Sequence, residues 1–504
     1  MTTHKNVGWV RPEAVTHQTE TVRVASLGEV AAPKIDQGGP IGAREFVYVD
    51  ISSVDNKLKR ITEQKTLAVE VAPSRAKQRL KAGDVLVSMT RPNLNAVAIV
   101  PQELDDAVGS TGFHVLRATE GTEPRWLYYA VQTHHFISAM SELVQGALYP
   151  AVRPKDIRAF EIPVPPLDQQ KHIVAEIEKQ FSRLDEAVAN LKRVKANLKR
   201  YKAAILKAAV EGRLVETEAE LAAQVRANVA GGTTPGVTAR QYESGEALLK
   251  RILTERRRKW EENELARMKA QGKAPKEDKW KGKYKEPAAP DTTDLPELPE
   301  GWAWATLPQL GELNRGKSKH RPRDDKKLYD GPYPFIQTGD VRKSEGTITE
   351  YSQTYSEFGL KQSRLWPAGT LCITIAANIA ETGILKFAAC FPDSVVGFLI
   401  EGGATTTQYV EYFIRTAREK LERFAPATAQ KNINLEVLEA VAVPLPPLAE
   451  QHRIVAEVDR RLSLVREVET QVDANHKRAE RMRQALLSSL FSGQLVTRTR
   501  EQCA

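Results

Sequence analysis

At 504 residues the chain has room for about three domains of ordinary size, and 41% apolar content lets each bury a core. Three cysteines, Cys372, Cys390 and Cys503, are too few and too scattered for a disulfide framework or a zinc site. A formal charge of +9 suits an acidic polymer as partner, although solubility alone would also account for it; Met1 to Val10 carries no apolar leader core and no apolar run approaches a membrane span, so a soluble, cytoplasmic protein is expected.

In chain order, residues 1–162 read as a first variable domain of mixed α/β type. Val85 to Met89 is a short apolar run after Gly83, readable as a strand after a turn, and Trp126 to Leu143 reads as a helix. Residues 163–216 form a first repeat segment. Pro163 to Pro166 stops any preceding strand, a helix runs from about 169 to 211, and Gly212 stands where a helix C-cap belongs. Ile173, Ile177, Phe181, Leu184, Val188, Leu191, Val194, Leu198, Tyr201 and Ile205 recur at spacings of three and four, a narrow coiled-coil seam. Residues 217–295 are a charged linker. It is helical in tone over Ala219 to Val225, broken at Gly231 to Gly236, again helical over Ala247 to Lys269, and expected to be poorly ordered over the Lys/Pro-rich Lys273 to Pro290. Residues 296–442 read as a second variable domain, with a strand at Leu371 to Ile375 and a helix at Gln408 to Phe424. Residues 443–504 form the second repeat segment, with Ile454, Val458, Leu462, Val465, Val468, Val472, Ala479, Met482 and Leu486 as its seam and Gly493 as its C-cap.

The two repeat segments align without a gap, 163–215 on 444–496, with about 17 identities over roughly 53 positions. The likeness extends into the domains before them. Leu27-Gly28-Glu29-Val30 resembles Leu310-Gly311-Glu312-Leu313, and Phe46-Val47 with Asp50-Ile51 resembles Phe335-Ile336 with Asp340-Val341. Gly112-Phe113 matches Gly397-Phe398, and Tyr129 matches Tyr412. Such a chain folds as two copies of one α+β plan with pseudo-twofold symmetry, and a bipartite target follows.

No phosphate-binding Gly-x-x-x-x-Gly-Lys-Ser/Thr loop, dinucleotide fingerprint, Asn/Asp-Pro-Pro-aromatic tetrapeptide or paired metal ligands occur, so the chain reads as a non-catalytic binding protein with no cofactor of its own. Residues suited to base and phosphate contact lie on predicted loops: Arg91, Asn93 and Asn95 after the first strand, and Tyr149, Arg153 and Lys155 before the first long helix. In the second domain these are Arg315, Lys317, Lys319, Arg321 and Arg323 in a dense basic loop, and Gln430, Lys431 and Asn432 before the second long helix. Each set reads equally well as a solvated turn or a domain hinge. Trp302 and Trp304 read as core residues.

The order of features resembles the specificity (S) subunit of type I restriction-modification systems. The carrying residues are Leu298-Pro299-Glu300-Gly301-Trp302, Pro163 to Glu176, Pro444 to Glu457, Gly212-Arg213-Leu214-Val215 and Gly493-Gln494-Leu495-Val496, and the likeness covers essentially the whole length. The first half departs from it by keeping only Gly8-Trp9 of the Leu-Pro-x-Gly-Trp opening. The resemblance implies two target-recognition domains in tandem, each reading half of a split sequence in double-stranded DNA. It implies two long helices packed as an antiparallel coiled coil that sets the gap. It also implies two modification (methyltransferase) subunits using S-adenosylmethionine, and restriction (translocase and nuclease) subunits using ATP and magnesium, with no membrane. Two other readings are a coiled-coil scaffold without a DNA role and an S-like subunit of a related methylation or defence system without a restriction partner. A free-standing methyltransferase is opposed by the missing cofactor loop and tetrapeptide.

Overall fold

The computed structural model describes residues 22–40, 44–230, 241–272, 277–376, 378–400, 405–424 and 432–491. The chain divides into two compact units, residues 1–193 with 472–504, and residues 194–471. Each unit therefore takes part of both long helices, Leu167–Val210 and Leu448–Phe491.

In the first unit Arg23–Ser26 pairs antiparallel with Glu161–Val164. One helical turn, Leu27–Val30, follows, and Glu29 accepts the Ser26 backbone N–H at 2.6 Å. The second unit repeats the device. Ala303–Thr306 pairs with Ala442–Leu445, and Gln309 Oε1 accepts the Thr306 backbone N–H at 2.9 Å ahead of the turn Leu307–Leu310. The counterpart of Leu27 is thus Leu307 rather than Leu310. A hydroxyl residue followed three places later by Glu or Gln makes the turn, whereas Gly311–Arg315 is a strand paired with Val395–Ile400.

Pro163 and Pro444 are not strand stops but strand residues, opposite Val24 and Trp304. Their carbonyls accept Trp126 Nε1–H at 3.0 Å and Tyr409 Oη–H at 2.8 Å. The backbone at each proline therefore faces away from the paired strand, where a missing N–H leaves nothing unsatisfied.

Val85–Ser88 is the centre of a three-stranded sheet between Phe113–Leu116 and Val97–Ile99. Leu371–Thr374 holds the same place between Val395–Ile400 and Thr382–Leu385, in a five-stranded sheet with Gly311–Arg315 and Gly346–Ile348 at its edges. All four residues of each central strand are buried, which explains why Val85 to Val87 and Leu371 to Ile373 are apolar without alternation. The register corrects a second sequence match: Phe113 lies opposite Ser88 but Phe398 lies opposite Leu371, so the residue placed like Phe113 is Val395, opposite Thr374.

The single helix expected over Trp126 to Leu143 is two, Pro124–Ala130 and His134–Glu142, because Thr133 caps the second by accepting the Phe136 N–H at 3.2 Å. Its counterpart Thr407–Glu422 is continuous. In each unit one buried glutamine ties this helix to the long helix. Gln170 accepts the Glu123 N–H at 2.9 Å and donates to the Pro165 and Gly121 carbonyls at 2.7 and 3.2 Å. Gln451 accepts the Thr406 N–H at 3.0 Å and the Thr405 hydroxyl at 2.6 Å, and donates to the Pro446 carbonyl at 2.9 Å. Tyr129 and Tyr412 add hydrogen bonds to Glu178 and Asp459 of the long helices.

The seam is thinner than its sequence suggests. Val194, Tyr201, Val468 and Met482 are exposed, while Leu206, Ala209, Leu487 and Leu490 are buried. A strict seven-residue pattern drifts round a helix of 3.6 residues per turn, so the buried stripe moves to neighbouring positions. Gly212 ends the first long helix in the left-handed region (φ +68°), with the Arg213 N–H donating to the Ala208 carbonyl at 2.9 Å. A Cβ there would also lie 2.5 Å from Pro299. Gly493 and Gly231 to Gly236 lie outside the described residues. The linker helices span Glu218–Ala230 and Gly245–Ala270. Of Lys273 to Pro290, residues 277–290 are tied down rather than poorly ordered. Trp280 is buried and stacks on Trp260 at 6.0 Å between centroids, and the Ala288 carbonyl accepts the Thr306 hydroxyl at 2.9 Å.

In the second unit Glu411 is buried, hydrogen-bonded by the Thr382 hydroxyl at 2.7 Å, and burial pushes its carboxyl up to about 7 despite Arg415 3.6 Å away. An acid with a raised folded pKa holds its proton more tightly when folded. Stability is therefore lost as pH rises from the ordinary 4.5 towards 7, and the loss is complete above that. Glu411→Gln is expected to flatten this slope and to stabilise the unit by roughly 2–3 kcal/mol at pH 8, measured by denaturant melts at pH 5 and pH 8.

Candidate nucleic-acid interface

In the first unit two stretches far apart in sequence meet at one end of the central sheet. Thr90 forms a β-bridge with Ala151, the Arg91 N–H donates to the Pro150 carbonyl at 2.9 Å, and the Val152 N–H donates to the Met89 carbonyl at 2.8 Å. Arg91, Asn93, Tyr149, Arg153 and Lys155 therefore share one surface and all are exposed, Tyr149 by 87%. Arg91 and Asn95 frame the turn Pro92–Leu94 in the left-handed region, at φ 49° and 45°. That backbone turns Asn95 inward. It is buried, its carbonyl accepts the Lys59 ammonium, and its own Nδ2 has no partner among the described residues. Arg153 leans on Asp156, Nε to Oδ2 at 3.0 Å, which holds the Asp156 carboxyl below its usual range. The free edge thus presents Arg91, Asn93 and Lys155 as donors, with Tyr149 and Leu148 as apolar flanks.

The second unit makes the same junction. Ala376 bridges Asn432, and the Ile433 N–H donates to the Ile375 carbonyl at 3.0 Å. The basic loop leaves from this same sheet end: Arg315 lies opposite Val396, and the Ile375 N–H donates to the Ser394 carbonyl at 3.0 Å. The loop is folded down rather than extended. The Lys317 N–H donates to the Phe391 carbonyl at 3.0 Å, Arg321 Nη1 donates to the Ser318 and His320 carbonyls at 2.8 Å each, and Arg323 pairs with Asp393 at 3.2 Å. Arg315, Lys317 and Lys319 are exposed, as are the tethered Arg321 and Arg323 and also Asn432; Gln430 and Lys431 lie outside the described residues. Trp302 is buried, its indole donating to the buried carboxylate of Glu450 at 3.0 Å, and Trp304 is half-buried.

Sequence reasoning passed over Asn378, which lies in the turn after Leu371–Thr374 as Arg91 to Asn95 does after Val85–Ser88. The repeat itself points to it, since the two central strands are the same strand. It also passed over Lys59 and Arg60, in the hairpin that joins Val54–Asp55 to Arg60–Ile61, although Lys57, Lys59 and Arg60 fall close together in the sequence. Among the described residues no group of His, Cys, Asp and Glu could hold a metal ion. Cationic and amide donors over an apolar base suit a polyanion whose edges carry acceptors.

The model of the family described as the type I restriction modification DNA specificity domain matches residues 19–200 and 299–472. The type I restriction enzyme StySPI specificity subunit of Salmonella potsdam is 23% identical over 212 residues, 40% of this chain and 45% of that one, so the chain spans about half the length of this relative. The EcoBI specificity subunit of Escherichia coli is 21% identical over 393 residues, 75% of this chain and 67% of the relative. Among solved structures, a chain from work on complex assembly and conformational transition of the type I R-M system superposes with a TM-score of 0.64 at 23% identity, covering 93% of this chain and 97% of that one. The HsdS subunit from Thermoanaerobacter tengcongensis gives 0.54 at 23% identity, covering 94% and 97%. These two likenesses concern the fold.

Proposed function

Because the chain belongs to the type I restriction modification DNA specificity domain family, we propose that it is the sequence-reading subunit of a type I complex, each unit reading one half of a split target in duplex DNA. The observation that carries this reading is the repeated sheet end. Both units join the loop after the central strand to the segment before the long helix, and there they carry different residues, Arg91 and Asn93 in one and Arg315, Asn378 and Asn432 in the other. One scaffold with two side-chain sets is what two unlike half-sites require.

The long helices serve as the spacer. Each has 44 residues, about 66 Å at 1.5 Å per residue, close to two turns of B-DNA. In the first unit Asp185 pairs with Arg483 at 2.8 Å, and in the second Lys202 pairs with Glu469 at 2.7 Å. Partner numbers fall along one helix as they rise along the other, which supports antiparallel packing. Two modification subunits would dock on the repeated helical parts and bring S-adenosylmethionine; restriction subunits would bring ATP and magnesium. The chain itself supplies recognition and no chemistry. No helix among the described residues is long and apolar enough to cross a membrane.

Arg91→Ala tests the reading. Binding-site selection with the assembled complex is expected to show relaxed preference at one or two positions within a single half-site, with a cost of about 1–3 kcal/mol on the favoured sequence. Uniform weakening across all sequences would make Arg91 a phosphate contact instead.

A further inference from the structure

The first unit contains an open cavity of about 610 Å³ that the recognition surface does not use. One wall is the hairpin Val54–Asp55 with Arg60–Ile61, and another is the stretch of the first long helix from Glu178 to Asp185. Its lining is cationic: Lys59, Arg60, Arg125 and Arg483 against Glu178 and Asp185, four positive charges against two negative. Both carboxylates are already engaged, Glu178 by Arg125 and Asp185 by Arg483 at 2.8 Å. Lys59 and Arg60 have no carboxylate at ion-pair distance among the described residues.

Lys59 is held in place rather than merely present. Its backbone is in the left-handed region at φ 55°, its N–H donates to the Asp55 carbonyl at 2.8 Å, and its carbonyl accepts the Tyr128 hydroxyl at 2.8 Å. This posture sends the ammonium to the Asn95 carbonyl, directly beneath the turn that presents Arg91 and Asn93. Arg483 is fixed as well, its guanidinium 4.2 Å from the centroid of the Phe181 ring. Burial, with Arg483 nearby, pushes Lys59 down to about 8. An ammonium desolvated near Arg483, with the Asp55 carboxylate in its neighbourhood but not paired with it and only a backbone carbonyl as hydrogen-bond acceptor, is a position that an arriving anion would stabilise.

We propose that this cavity seats a phosphate, the backbone phosphodiester that follows the bases read by the Arg91–Asn95 turn as the duplex passes towards the long helix. The proposal rests on the reading of the chain as a duplex binder and adds a contact that positions the DNA without reading it. A free phosphate or a nucleotide phosphate offers the same chemistry, and the test separates these sources.

The full chain with its docked partners is titrated with its selected duplex and with an unrelated duplex at several salt concentrations, as wild type, Lys59→Met and Arg60→Ala. Both variants are expected to weaken both duplexes by the same factor, roughly 5–10-fold, and to lower the slope of log K against log salt by about 0.9 for the contact removed. Arg60 is exposed, so its variant remains informative even if Lys59→Met fails to fold. Unchanged slopes in Arg60→Ala and in any folded Lys59→Met, with wild type still salt-dependent, overturn the phosphate seat while leaving the duplex reading intact. A changed base preference overturns it too, as does saturable Lys59-dependent binding of inorganic phosphate without any effect of the variants on duplex. Wild type that shows no salt-dependent duplex binding overturns the functional reading itself, and the phosphate seat with it.

Discussion

Inserting one helical turn after Lys195 in the first long helix, and a matching turn after the repeat-equivalent His476 in the second, is expected to widen the preferred gap between half-sites by one to two base pairs. One turn adds about 5.4 Å, and a base pair occupies about 3.4 Å of duplex axis. The effect on the original target is expected to be large because the proposed function makes the two units linked binders. When the gap no longer fits, the second unit loses its high effective concentration, and affinity drops by about 100-fold or more without any change in either reading surface. The new gap must also keep both half-sites turned towards the protein, which favours the smaller shift. Binding-site selection with the insertion complex reads the gap directly. An unchanged gap would mean that the helices do not set the distance. Loss of all preference for split sites would mean that the seam had been broken, and this is checked by whether the Asp185–Arg483 and Lys202–Glu469 ion pairs still contribute to stability.

The repeat made the two-unit plan legible in the sequence, because residues that start helices and pair strands recur wherever the same local physics is used twice. Pro163 to Glu176 and Pro444 to Glu457 open equivalent helices, and Tyr129 and Tyr412 reach equivalent positions on them. Identity of letters was a poorer guide than identity of role. Leu27-Gly28-Glu29-Val30 is a helical turn because Ser26 and Glu29 cap it; Gly311-Glu312-Leu313 continues as a strand because the cap has already been spent on Thr306 and Gln309. The proposed binding surfaces were legible only as pieces. Arg91 and Tyr149 were both singled out, but that they share a face depends on the bridge between Thr90 and Ala151, a long-range pairing with no local signature. The inward turn of Asn95 depends on a left-handed backbone that asparagine tolerates, and the folding down of Arg321 and Arg323 depends on carbonyls and on Asp393 supplied by distant strands. The long-helix seam was misplaced at Val194, Tyr201, Val468 and Met482 for the opposite reason: a period was read correctly, but its drift over 44 residues was not.

Gln170→Ala and Gln451→Ala are expected to be the most damaging polar substitutions in their respective units. Each side chain is fully buried, and each spends both ends of its amide on backbone groups of the loop that precedes a helix and of the proline stretch that precedes the long helix. Truncation leaves a half-buried N–H, that of Glu123 or Thr406, and a proline carbonyl without its glutamine partner, and it opens a void. The expected cost is about 2–4 kcal/mol for each. Gln→Leu at the same positions keeps the volume and removes only the hydrogen bonds, so a smaller loss there separates the two contributions. The damage is also expected to be local. Amide exchange should quicken over Pro124–Ala130 in Gln170→Ala, and over Thr407–Glu422 in Gln451→Ala, because each helix is held to its own long helix by its own glutamine. These helices back the sheets whose ends carry the proposed recognition loops, so each variant is expected to blur preference in one half-site while sparing the other. Equal loss of protection in both units from either substitution would show that the chain unfolds as one cooperative body, and that reading each half-site independently is not built into its stability.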